Sequence, residues 1–73
     1  MQEERLKEIG KLIDAARRHE GISKQKLGEA CGYVGPNAFR NVIRWEQGDL
    51  AVPSHRVRRL SEALHVPLDS LIP

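Results

Sequence analysis

Apolar side chains in this chain recur at steps of three and four residues, and no strand-length run alternates apolar with polar. Leu6, Ile9, Ile13 and Ala16 follow one another at steps of three, four and three, and Val57, Leu60, Ala63 and Leu64 mark a second stripe. A helix returns a side chain to the same face about every 3.6 residues, a strand every second residue. The pattern therefore predicts an all-α fold, a compact bundle of about five helices forming a single domain over residues 1–73.

Glycines, prolines and capping residues divide the chain. A first helix over 3–19 ends at Gly21. Ser23 stands where an N-cap belongs, opening a second helix over about 23–31 that is expected to bury Leu27, Ala30 and Cys31 and to stop at Gly32. After a turn at 32–35, Pro36 suits the first position of a third helix, about 36–47, closed by Gly48. Ser54 is the expected cap of a fourth helix over 54–64. Beyond His65-Val66-Pro67, Leu68, Leu71 and Ile72 mark a last turn or two that either closes the core or offers a dimer patch.

A chain of 73 residues buries only about 60% of its unfolded surface, so its stability calls for a helper. Cys31 stands alone and cannot form an internal disulfide, and His19, His55 and His65 are scattered, so no metal site and no cofactor are expected. Self-association is the helper left. No apolar run approaches the length of a membrane span, and the charged start MQEERLKEIG predicts no secretory signal, so the expected location is cytoplasmic. Paired carboxylates, a nucleophile beside a base and a phosphate-cradling glycine loop are all missing, so no enzyme and no small-molecule ligand are expected.

The net charge of +2 is a weak pointer to a polyanion, and its distribution says more. On a helical wheel, Asn37, Arg40, Asn41 and Arg44 fall at i, i+3, i+4 and i+7, a face roughly 100° wide. Ala38, Phe39, Val42 and Trp45 lie opposite, expected in the core, with Ile43 and Glu46 toward one flank. Solvated helix faces usually mix signs, and this one has no acid. Asparagine is also a poor helix former, so two of them within one helix need another reason. Arginine can bond guanine O6 and N7, and asparagine adenine N6 and N7, so these four are candidate base-reading residues in a major groove.

The flanking segments carry a resemblance. IGKLIDAARR, GISKQKLGEACG, VIRWEQG and VPSHRVRRLSEALHVPLDSLI together resemble the Xre/Cro-type helix-turn-helix family, which includes the lambda-like phage repressors, over about nine-tenths of the chain. The resemblance implies a lambda-repressor-like domain whose second and third helices form the helix-turn-helix. It further implies sequence-specific binding of double-stranded DNA and transcriptional regulation by a small phage-type repressor, bacterial or phage-encoded. A homodimer on a palindromic operator follows from it as well. Ser23, Lys24 and Gln47 become candidate contacts to the DNA backbone, the first two aided by the helix dipole. Glu46 falls at a position with a structural role, Trp45 at an apolar one.

Three departures from the family accompany the match: Lys24 replaces its usual Gln, Gly28 its usual Ala, and Gly32 to Glu46 spans fourteen residues, about four more than usual. The addition lengthens the turn, the third helix, or both. Arg17 and Arg18 are expected to complement the dipole of helix one, and Arg56 and Arg59 to lie on a solvated face. Tyr33 either packs over the inserted loop or touches sugar-phosphate. The altered turn and the small net charge also admit a protein-interaction module on the same fold, an antitoxin-like or anti-repressor partner.

Overall fold

In the computed structural model, which describes residues 2–73, the chain forms α1 (Gln2–Glu20), α2 (Lys24–Ala30), α3 (Pro36–Gln47) and α4 (Val57–Leu64). A short 3-10 helix, Leu68–Leu71, takes the place of the expected fifth helix, and no strand occurs among the described residues. Ser23 caps α2, its hydroxyl accepting the Lys26 N–H at 3.0 Å. α3 begins on Pro36 and ends on Gly48 at φ 78. That left-handed residue lets Gly48 N–H reach Trp45 O at 3.1 Å and Asp49 N–H reach Arg44 O at 3.0 Å, which satisfies carbonyls the helix would leave bare.

One core joins all the elements. Ile9 and Ile13 of α1 meet Leu27 and Cys31 around α2, Val42 and Trp45 of α3, and Val57, Leu60 and Leu64 of α4, and Leu71 closes the end. The tail thus divides: Leu71 is buried, while Leu68 and Ile72 stay exposed. Expectations fail at Ala30 and at Ser54. Ala30 is exposed, because α2 turns Leu27, Gly28 and Cys31 inward instead. Ser54 does not cap α4. The Arg56 N–H closes a turn on Pro53 O at 2.9 Å, and the helix starts only at Val57.

Two glycines set how closely α3 sits on its neighbours. A Cβ on Gly10 of α1 would lie 2.5 Å from Glu46 O, and one on Gly28 of α2 would lie 2.2 Å from Ala38 O. Both obstacles are backbone, so neither can swing aside. The connection between α2 and α3 is Cys31–Gly35, slightly longer than the three or four residues usual in a helix-turn-helix, and α3 has 12 residues. The first turn of α3 crosses α2 at Gly28. Gly28→Ala would gain about 1 kcal/mol of helix propensity but overpack this crossing by about 1–3 kcal/mol or more. We expect a net loss of stability, read as a lower urea midpoint; an unchanged or raised midpoint would refute the close crossing.

Candidate nucleic-acid interface

Burial along α3 divides the helix. Ala38, Val42 and Trp45 are buried, while Asn37, Arg40, Arg44 and Gln47 are exposed. Arg40 and Arg44 form no ion pair among the described residues, so both guanidinium groups remain available. Asn41 is half-buried at one edge, and its Nδ2 donates to Asn37 O at 2.8 Å. One amide hydrogen is thus held by the helix, leaving the other and Oδ1 for an outside partner. Phe39, expected in the core, is 44% exposed instead. The core arc is narrower than the wheel suggested, running from Trp45 through Ala38 to Val42.

The helix is anchored from behind by charge as well as by apolar packing. Glu46, with only 7% of its side chain exposed, accepts from Arg17 Nε at 2.7 Å. Arg17, in the last turn of α1, also donates to Asp14 Oδ1 at 3.0 Å and to Ile22 O at 3.1 Å, and is buried. Its hydrogen bond to Glu46 raises the Arg17 guanidinium above its ordinary value, against the pull of burial. Asp14 is held below its ordinary value, chiefly by a hydrogen bond from Arg18 at 2.9 Å. Lys24 Nζ lies 3.6 Å from the second Glu46 oxygen, so Lys24 is a loose partner of this cluster. Gln47 lies exposed at the end of α3 and makes no side-chain hydrogen bond among the described residues.

The turn is held just as firmly. Arg56 Nη1 donates to Cys31 O at 2.8 Å, and its guanidinium stacks over the Tyr33 ring at 4.0 Å. Tyr33 in turn packs on Trp45, with centroids 5.8 Å apart. Arg56 is therefore a clasp between α4 and the turn, not a solvated side chain, and Tyr33 packs inward. Gln25 Nε2 adds a bond to Gly35 O at 3.0 Å. Burial pushes the Cys31 thiol up to about 11, so at neutral pH it is an un-ionised core group. The clasp joins positions 25 residues apart, and such a contact leaves no trace in local periodicity. Tyr33 and Trp45, two of only three aromatic residues, were the available signal.

The result is a rigid helix with a cationic, acid-free outer arc of Asn37, Arg40, Asn41 and Arg44. The capped N-terminus of α2, at Ser23 and Lys24, belongs to the same helix pair. Such an arc can donate paired hydrogen bonds to purine edges and single ones to phosphates.

Known proteins resemble this chain over most of its length. It is 32% identical over 60 residues to an uncharacterized HTH-type transcriptional regulator of Sinorhizobium medicae (strain WSM419), a match covering 82% of this chain and 40% of the relative. A protein of the same description from Rhizobium meliloti (strain 1021) matches to the same extent. A third, from Sinorhizobium fredii (strain NBRC 101917 / NGR234), is 34% identical over 58 residues, covering 80% of this chain and 38% of the relative. No protein-family model and no solved structure matches. The chain spans about two-fifths of the length of these relatives. It is thus an all-α bundle similar, over about four-fifths of its length, to regulators named for a helix-turn-helix.

Proposed function

We propose that the chain binds double-stranded DNA sequence-specifically and regulates transcription, acting as a small repressor that occupies its operator. The observation that carries this reading is the outer arc of α3, where two unpaired arginines and two asparagines stand on a helix locked to the core. The name borne by the relatives, HTH-type transcriptional regulator, supports it independently. Arg40, Arg44, Asn37 and Asn41 are the base readers in this proposal. Ser23, Lys24 and Gln47 approach phosphates, and Lys24 leaves Glu46 to do so.

From Asn37 to Arg44 the helix advances about 10 Å, the height of about three base pairs. So short a site specifies little, and two copies related by a two-fold axis would double it. We therefore include a homodimer on a palindromic operator, with half-sites about 34 Å apart and exposed Leu68 and Ile72 available to the contact. The test is a titration of duplex binding against salt. Phosphate neutralisation releases counterions, so log affinity should fall against log salt by about 0.9 for each phosphate contacted. A slope near zero would sink the proposal.

A further inference from the structure

We infer that Phe39, with Val34 in the turn before α3, reads the C5-methyl groups of thymines at the edge of the bound half-site. The inference rests on the DNA-binding reading and deepens it. Among the described residues four large apolar side chains are exposed, and two of them, Val34 at 79% and Phe39 at 44%, stand at the entrance to α3. Leu68 and Ile72, the other two, belong to the tail.

The order of side chains around α3 gives Phe39 its partner. Setting Asn37 at zero, Glu46 lies at about 180°, Phe39 at about 200°, Ile43 at about 240° and Arg40 at about 300°. The Glu46 side is marked by Lys24, 3.6 Å away at the N-terminus of α2. Phe39 and half-buried Ile43, one turn apart, form an apolar strip between that cation and the arginines. A base pair in the major groove has a matching sequence: strand backbone, then the pyrimidine C5 position, then the hydrogen-bonding edges. Thymine alone of the four bases fills the middle place with a methyl, and a phenyl ring is among its recognised contacts. The side chains of the strip carry no charge and no acceptor, so a cytosine N4–H₂ group finds no partner there.

The test replaces each thymine of the preferred duplex by deoxyuridine, which removes one methyl and changes no hydrogen bond. At one or two positions per half-site, wild-type affinity should fall about four-fold, the value of burying one methyl. Phe39→Ala should bring the thymine-to-uracil ratio at one of those positions to unity, and Val34→Ala should reduce it at a neighbouring one. Far-ultraviolet circular dichroism checks that both variants keep their helices. Val34 is mostly exposed in a turn, so that substitution spares the core even where the first does not. Equal binding of thymine and uracil duplexes at every position would overturn the inference while leaving DNA binding intact. Full affinity and unchanged discrimination in Phe39→Ala would also overturn it, and would turn the strip toward a protein partner. Failure of wild type to retain any duplex would remove the underlying reading as well.

Discussion

Changing Arg40 and Arg44 together to alanine is expected to weaken binding to the preferred duplex by about 2–6 kcal/mol, at least about thirty-fold, with little change in stability. Each guanidinium that bonds a guanine bidentately contributes about 1–3 kcal/mol of discrimination, and two such contacts set the range. The residues are one turn apart, so the double loss need not equal the sum of the single ones. Both are exposed and unpaired, which keeps the expected change in folding free energy within about 0.5 kcal/mol. Fluorescence anisotropy and thermal denaturation on the same samples separate the two quantities. Lysine at these positions should rescue little, since an ammonium lacks the planar fork. Affinity unchanged in the double variant would remove both arginines from the interface.

The second large effect is on stability. Glu46→Ala leaves Arg17 buried without its closest partner, and breaking such a pair typically costs about 3–5 kcal/mol. Asp14 and Ile22 O remain with Arg17, which places the expected loss near the lower end, about 3 kcal/mol. At roughly 0.05–0.15 kcal/mol per residue, the whole domain has only about 4–11 kcal/mol to lose. A loss of that size should lower the melting temperature by at least about 12 °C. Replacing Arg17 and Glu46 together by apolar residues of similar volume should recover much of the loss, because no buried charge is then stranded. If Glu46→Ala melts within a few degrees of the parent, the pair does not anchor α3.

What the sequence revealed, and what it withheld, follows the range of the interactions. The helices and the outer arc of α3 are local: Asn37, Arg40 and Arg44 share a side because they are three, four and seven residues apart. Residues at the boundary of an arc are less determined. Phe39 stands at such a boundary, about 60° beyond Val42 on the wheel, and is 44% exposed. The fourth helix starts later than Ser54 predicts because Pro53 first makes a turn with Arg56, and a turn of that kind shares its local sequence signals with a helix start. Arg17–Glu46 and Arg56–Cys31 link positions 29 and 25 residues apart, so their basic members looked like surface charge. Glu46 itself was assigned a structural role only through the family resemblance.

Whether α3 reads sequence is decided by selecting bound duplexes from a random DNA pool. One two-fold symmetric sequence should be enriched, with half-sites about 34 Å apart and purines at the positions that Arg40 and Arg44 face. A pool that emerges without enrichment, or the same sequence enriched by the Arg40→Ala, Arg44→Ala variant, would contradict it.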